Sequence, residues 1–341
     1  MSTTILITGA TGLIGFRVLL AALAAGHKVR YTARSKDKAS AVSSNPAVQK
    51  LAPGDRLSSV VIPDFTVDGA FDSALQGATH VIHTGAPVPI PDFDPVTQIF
   101  QPTVKMSSNL LSSALKTPSV QRIVITSSVV ANMGPIPPPT TVFASTRLPL
   151  PDPVPTAFDD VVEAYRVGKV VEIHNSDEFV KTRNPSFTIA HVMPGYVFGR
   201  NELALDAATM RTQNSSNMRL MAGMLGEELP TPIHGSFAHV DDVADAHLRV
   251  AFLDPQADGP TDFGIATEAD YTTIFDHVEE AFPEAVAAGV FKRGKVPRIP
   301  MKYDSSDVER LLGRKLISFK SAVVDVAGQY LELLGMEKSL S

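Results

Sequence analysis

The run Thr8-Gly9-Ala10-Thr11-Gly12-Leu13-Ile14-Gly15 constrains this chain more than any other segment. It follows Ile5-Leu6-Ile7, an apolar run of buried-strand type. It opens a stretch with helical apolar spacing from Leu13 to Ala25, which Gly26 stops. Glycine removes the side chains that would keep a turn's backbone away from a bound pyrophosphate, or hold the helix off the sheet. The helix N-terminus then offers free N–H groups and a positive dipole end to phosphate oxygens. The spacing is G-x-x-G-x-x-G rather than G-x-G-x-x-G, but the strand-turn-helix setting gives the motif its meaning. Gly9, Thr11, Gly12, Leu13, Ile14 and Gly15 are therefore the first candidate dinucleotide-binding residues.

The rest of the first half repeats the alternation. Val29–Ala33, Val60-Val61-Ile62, Val81-Ile82, Ile123-Val124-Ile125 and Phe187–Val192 read as strands. Val96–Leu115 and Phe158–Phe179 read as helices. This spacing predicts an α/β fold, a doubly wound parallel sheet covered on both faces, with its ligand crevice at the carboxyl ends of the strands. Beyond Gly195 the alternation weakens. A helix is expected around Met210–Gly226, another over Val243–Phe252 with Asp241 as its N-cap, a short one at Val308–Gly313, and a last one over Ser321–Leu334. Residues 1–194 are expected to form the dinucleotide-binding domain and 195–341 a smaller substrate-binding lobe, the boundary being interleaved. Between Gly134 and Pro155 the prolines 135, 137, 138, 139, 149, 151, 153 and 155 exclude helix and central strand. This long loop leaves the end of the fifth strand and is expected to line the active site.

Composition narrows the function. A chain of 341 residues suits one large domain, or a large and a small one sharing a cleft. The net charge of -6 excludes the basic footprint of a nucleic-acid binder. No cysteine is present, which removes disulfides, thiolate chemistry and cysteine-ligated metals. The N-terminus has no basic region ahead of its apolar run, and Val18–Ala25 is far too short to span a bilayer. A cytoplasmic monomer or homodimer acting on a small molecule is expected, with no membrane partner.

The second strand ends in Tyr31-Thr32-Ala33-Arg34, with Ser35, Lys36 and Lys38 beyond. NAD-preferring enzymes place a carboxylate there to bond the ribose hydroxyls. Arg34 and Lys38 instead suit a 2′-phosphate, so NADP(H) is the expected cofactor. Tyr165 and Lys169 stand four positions apart on a helix and share a face. An ammonium there favours the phenolate and lowers the tyrosine pKa, letting Tyr165 exchange a proton near neutrality. The fifth strand ends in Thr126-Ser127-Ser128, where a serine hydroxyl can meet a carbonyl oxygen.

Together these motifs resemble the extended short-chain dehydrogenase/reductase family. The carriers are the glycine turn, Asp64-Phe65, Thr84-Gly85-Ala86-Pro87, Thr126-Ser127-Ser128, Tyr165-Arg166-Val167-Gly168-Lys169, Pro194-Gly195-Tyr196-Val197-Phe198-Gly199, the stretch His239 to His247, and Leu311-Leu312-Gly313. Within the family the chain looks most like the dihydroflavonol reductase-like and aldehyde-ketone reductase branch, through Val29–Arg34 and Val81–Pro87. The resemblance implies that Asp64 and Phe65 lie by the adenine, Thr84, Gly85 and Ala86 along the cofactor with Thr126, and Pro194 and Val197 beside the nicotinamide. It implies Ser128 as the carbonyl-polarising serine (Ser127 as fallback), Tyr165 as proton donor, and Lys169 on the nicotinamide ribose. The implied activity is NADPH-dependent reduction of a ketone or aldehyde on a small aromatic, polyketide- or flavonoid-like molecule. The chain departs from the pattern at Gly168, where the family often has Ser or Ala, and in its proline-rich loop.

Two rival functions share the fold. A nucleotide-sugar epimerase or hydroxysteroid-type dehydrogenase is one; Arg34 speaks against an epimerase, which usually favours NAD. A non-catalytic NADP-binding regulator is the other, and such proteins typically lose the Tyr/Lys pair. No metal is expected at His239, Asp241, Asp242 and His247, because the aspartates occupy a helix's first turn, where carboxylates complement the dipole. Asn109 is weighed as a relay through water against a structural or cofactor-side role. Met218, Met221 and Met224 are weighed as pocket lining against core packing.

Overall fold

The computed structural model describes residues 3–213, 215–254 and 259–336. Seven parallel strands form the central sheet: β1 Thr4–Thr8, β2 Lys28–Ala33, β3 Leu57–Val61, β4 His80–His83, β5 Arg122–Thr126, β6 Thr188–Pro194 and, later in the chain, β10 Asp262–Ile265. Their order is β10-β6-β5-β4-β1-β2-β3. The order reverses between β1 and β4, so the turn after β1 faces the end of β4 at the switch point.

Strand alternation divides the core. Ile5 and Ile7 point to one face with Val18, Leu19 and Val243, which belong to the helices Leu13–Ala24 and Val240–Ala251. Leu6 points to the other, with Met106, Leu110 and Ile125, beneath the helix Gln101–Ala114. The helix Val161–Arg183 packs beside Gln101–Ala114 on that second face. A separate apolar cluster underlies the second half, built from Phe198, Met221, Phe237, Tyr271, Phe319 and their neighbours. Small strands run through it: β7 Tyr196–Phe198, β8 Ile233–His234, β9 Ser236–His239, β11 Thr267–Glu268 and β12 Arg298–Ile299. Strands β11, β9 and β7 form one sheet, β12 and β8 another.

Several element boundaries differ from the sequence reading. The Tyr165 helix starts at Val161, not Phe158, because Asp160 caps it by accepting from the Val162 and Glu163 N–H groups, each at 2.8 Å. Asp241 is not an N-cap. His239 takes that position and its Nδ1 accepts the Asp241 N–H at 3.2 Å, while the Asp241 carboxylate pairs with Arg17. The expected helix around Met210–Gly226 is two helices, Ala207–Thr212 and Asn217–Leu225. Val96–Leu115 begins as a wider π-helical stretch at Pro95–Phe100 and becomes α-helical from Gln101. Among the described residues no helix is long and apolar enough to cross a membrane.

The proline-rich loop is anchored from several sides. The Asn132 amide donates to the Ala144 and Thr146 carbonyls at 3.1 and 2.7 Å, and the Tyr303 hydroxyl donates to the Asn132 Oδ1 at 2.7 Å. Arg147 joins Asp177 and Asp262, and Asp262 in turn meets His191 at 2.8 Å.

Candidate active site

In a parallel sheet every carboxyl end lies on one edge. That edge collects the residues after β1, β2, β3, β4, β5 and β6, and with them the candidate residues. Gly9 has φ +74°, a conformation glycine adopts freely. A Cβ on Gly9 would lie 2.6 Å from the Thr84 Oγ1 and 2.7 Å from the Gly85 nitrogen. A Cβ on Gly15 would collide with the Gly9 carbonyl and lie 2.5 Å from the same Thr84 oxygen. These two glycines let the turn press against the end of β4. Gly12 is different: a Cβ there would meet only the Gly9 oxygen, at an ordinary 3.5 Å. Gly12 and Thr11 are exposed, Leu13 and Ile14 half-buried. The helix N-terminus behind them has no side-chain cap and no acidic residue in its first turn. Its free N–H groups suit an anion.

Thr8 and Thr84 fasten β1 to β4. The Thr84 hydroxyl donates to the Thr8 carbonyl at 2.6 Å, and the Thr8 hydroxyl accepts the Gly85 N–H at 3.2 Å and meets His83 Nδ1 at 2.7 Å. Burial pushes the His83 pKa down to about 3, aided by the Lys169 charge. Gly85 and Ala86 are half-buried beside Phe65, whose ring leaves no room for a Cβ on Gly85. Arg34 and Lys38 are exposed past the end of β2. Among the described residues Arg34 makes no hydrogen bond and no ion pair within 4 Å; Asp64 is the carboxylate that feels its charge. Asp64 is held by the Thr66 hydroxyl and N–H, both at 2.7 Å, which keep its pKa low. The Asn109 amide donates to the Phe65 and Val67 carbonyls at 3.0 and 3.2 Å. Asn109 therefore braces this loop, a structural role.

The catalytic candidates converge from two elements. Ser128 follows β5, its hydroxyl oxygen accepts the Val130 N–H at 3.4 Å, and its influence on the Tyr165 phenol favours the phenolate. Among the described residues the buried Ser127 hydroxyl has no hydrogen-bond partner, and its N–H donates to the Val192 carbonyl at 2.8 Å. Of the two serines, Ser128 is the one whose influence reaches the Tyr165 phenol. Lys169 Nζ lies 6.0 Å from the centre of the Tyr165 ring. It donates to the Thr126 carbonyl at 3.1 Å and to Glu172 Oε2 at 2.8 Å. The Ser107 hydroxyl donates to the other Glu172 oxygen. Lys169 and Glu172 are 1% and 2% exposed, so this pair is sealed from solvent. The Thr126 hydroxyl meets His247 Nε2 at 2.7 Å. Gly168 also has a reason: a Cβ there would crowd Thr103 at 3.2 Å, where the two helices meet.

The Tyr165 pKa corrects a sequence-based expectation. Lys169 and Ser128 pull it down, but burial outweighs both, and Glu172 and Tyr196 add to the rise. The phenol is thus held protonated in this structure. For Lys169, burial alone would lower the pKa; Glu172 and Tyr165 overcome it and raise it. Pro194 and Val197, both buried, flank Gly195 at the same edge, and the Tyr196 ring follows on β7.

Other candidates go elsewhere. His247 Nδ1 donates to the Val243 carbonyl at 2.7 Å, and burial lowers its pKa to about 4. Asp242 binds Arg314 and the Ile317 N–H, and His239 meets Asp325 at 3.0 Å, so these groups serve separate contacts. Met221 and Met224 are core residues, and Met218 is exposed. Sequence reasoning missed Glu172, Ser107 and Arg219, and named Tyr196 only within the Pro194–Gly199 stretch, without a role. Glu172 carried a usable signal, standing three positions after Lys169 on the same helix.

Comparison with known proteins fits this geometry. The model of the NAD dependent epimerase/dehydratase family matches residues 5–266. The chain is 34% identical to "Ketoreductase CTB6" of Cercospora beticola, covering 96% of this chain and 95% of that one. It is 36% identical to "NAD-dependent epimerase/dehydratase ALT6" of Alternaria alternata, over 97% of each. Among solved structures it is similar to the yeast methylglyoxal/isovaleraldehyde reductase Gre2 complexed with NADPH, with TM-score 0.83 and 25% identity, over 98% of this chain and 100% of that one.

Proposed function

The chain belongs to the NAD dependent epimerase/dehydratase family, and we propose that it acts there as an NADPH-dependent reductase of a ketone or aldehyde on a small aromatic or polyketide-like molecule. The observation that carries this reading is the grouping of Ser128, Tyr165 and Lys169 at the carboxyl edge of the sheet, with Lys169 Nζ 6.0 Å from the centre of the Tyr165 ring and held to the Thr126 carbonyl at 3.1 Å. A protonated phenol is an acid, which is what reduction of a carbonyl requires as negative charge grows on oxygen. The ketoreductase and reductase relatives support the same reaction class.

The residues fit the cofactor. Gly12 is a glycine with no internal packing reason, the helix behind it is uncapped, and Arg34 has a free guanidinium among the described residues. Gly9, Thr11, Gly12, Leu13, Ile14 and Gly15 would receive the pyrophosphate, and Arg34 and Lys38 the 2′-phosphate. Asp64 and Phe65 would border the adenine, and Thr84–Ala86, Thr126, Pro194 and Val197 the remainder. When bound, NADPH supplies the hydride. Ser128 then orients the carbonyl oxygen, and Tyr165 gives it a proton. Lys169 holds its charge beside the phenol and stabilises the phenolate left behind. Residues 195–341 would supply the substrate side of the cleft.

The test is NADPH consumption against aryl aldehydes, aryl ketones and flavonoid-like ketones. Turnover is expected with at least one class. Tight NADPH binding with no turnover of any carbonyl would instead mark a cofactor-binding regulator. Arg34→Ala should raise KM for NADPH about 10- to 100-fold, the value of one charge-assisted contact. KM for NADH should move much less. Equal efficiency of the wild type with both cofactors would overturn the Arg34 assignment.

A further inference from the structure

Just past Pro194, Tyr196 carries two stacked groups. The Arg219 guanidinium carbon sits 4.4 Å over its ring, and the His234 ring lies 4.4 Å away at 20°. Strand β6 pairs with β5 through Val192 and Thr126, and the Ser127 N–H donates to the Val192 carbonyl, so Tyr196 leaves the sheet edge that carries Ser127 and Ser128. Arg219 therefore stands over a ring at that edge.

Arg219 stands apart from most arginines of this chain. Arg17, Arg147, Arg200, Arg293, Arg298 and Arg314 each pair with a carboxylate. Among the described residues the Arg219 side chain has no carboxylate within 4 Å and no hydrogen bond; its backbone N–H donates to the Ser216 carbonyl at 3.0 Å. It is half-buried, and its Nε is shielded from solvent without an acceptor. Its neighbours supply no negative charge: burial holds His234 neutral with a pKa of about 4, and Tyr271 stays a neutral phenol whose hydroxyl donates to the His234 carbonyl at 3.1 Å. A partly desolvated guanidinium without a counter-charge is unfavourable unless an anion completes it. Stacking on Tyr196 fixes the plane of the guanidinium, which prepares it for a two-oxygen partner.

We propose that Arg219, seated on Tyr196 at the sheet edge where Ser128 and Tyr165 would receive the carbonyl, binds an anionic oxygen of the substrate, either a carboxylate or an ionised phenol or enol. This inference rests on the reductase reading and narrows it to acidic carbonyl compounds.

The experiment compares 4-acetylbenzoate with 4-acetylbenzamide, and 4-hydroxyacetophenone with its methyl ether across the phenol's titration. It uses the wild type, Arg219→Gln and Arg219→Lys. The first pair probes the carboxylate and the second the phenolate. In the wild type kcat/KM should favour the anion of at least one pair by about tenfold or more, the value of a charge-assisted hydrogen bond. Arg219→Gln should collapse that ratio towards one through KM, and Arg219→Lys should retain part of it. Calorimetry of 4-acetylbenzoate and of 4-hydroxyacetophenone above its phenol pKa, on NADP-loaded protein, gives a readout independent of turnover. Arg219-dependent binding of either anion without turnover would sustain this site while refuting the reductase reading. Turnover with no anion preference, or equal losses on both members of each pair, would overturn the site and leave the reductase reading intact.

Discussion

Tyr165→Phe is expected to lower kcat for carbonyl reduction by about 10² to 10⁴-fold, the range for removing a positioned general acid. The affinity for NADPH should change by less than about threefold, a shift of under 1 kcal/mol. The variant keeps the ring and its packing and loses one oxygen. The glycine turn, Arg34 and Lys169 are untouched. The pH profile sharpens the test. The Tyr165 pKa is raised above its ordinary value of 10.0, chiefly by burial. The acid form therefore prevails through neutrality, and reduction should be flat there, falling only at strongly alkaline pH. The reverse reaction, alcohol oxidation, needs the phenolate and should rise with pH over the same range. Turnover retained in Tyr165→Phe would remove this residue from the mechanism.

The fold was largely legible because its central strands are extreme. Ile5, Leu6, Ile7, Ile123, Val124 and Ile125 are all fully buried, and such runs suit strands of a parallel sheet covered on both faces. The glycine turn was legible for a related reason: Gly9 and Gly15 meet backbone or a fixed threonine, so their absence of side chains is a packing requirement. β10 was not legible. Its sequence Asp262-Phe263-Gly264-Ile265 opens on a carboxylate and contains a glycine. Asp262 is tolerated because His191 and Arg147 neutralise it, and Gly264 because the Tyr303 ring fills its place. His191 and Arg147 lie 71 and 115 residues from Asp262 in sequence.

The site shows the same division. Tyr165, Lys169 and Ser128 announce themselves by spacing and by following a strand. The direction of the Tyr165 pKa could not be read that way. Spacing reveals the helping ammonium, but the burial that outweighs it belongs to the assembled fold. Arg219 lies between Met218 and Leu220 and reads as a surface cation on a helix. Its interest comes from Tyr196, delivered from another element, and from the lack of a carboxylate within 4 Å among the described residues.

Glu172→Ala is expected to destabilise the protein by about 3–5 kcal/mol, because it leaves a buried ammonium without its counter-charge. Lys169 would retain the Thr126 carbonyl at 3.1 Å, and the buried Ser107 hydroxyl would lose its acceptor. The pH dependence of unfolding gives a distinctive sign. In the wild type the Lys169 pKa is raised above 10.5. That contribution is fully present below 10.5 and disappears as pH rises through the higher folded value. Without Glu172, burial, already the largest single influence, is opposed by Tyr165 alone and lowers the folded pKa below the unfolded one. The variant should then gain stability as pH rises towards about 10.5, the opposite slope. Replacing both partners, as Lys169→Met with Glu172→Met, should recover most of the stability, since a well-packed apolar pair avoids the desolvation of two ions. It should not recover activity, because Tyr165 would face no ammonium. Denaturant unfolding across alkaline pH checks the first part, and NADPH consumption the second. A Glu172→Ala protein with wild-type stability and an unchanged slope would show that the Lys169 charge is compensated without this carboxylate.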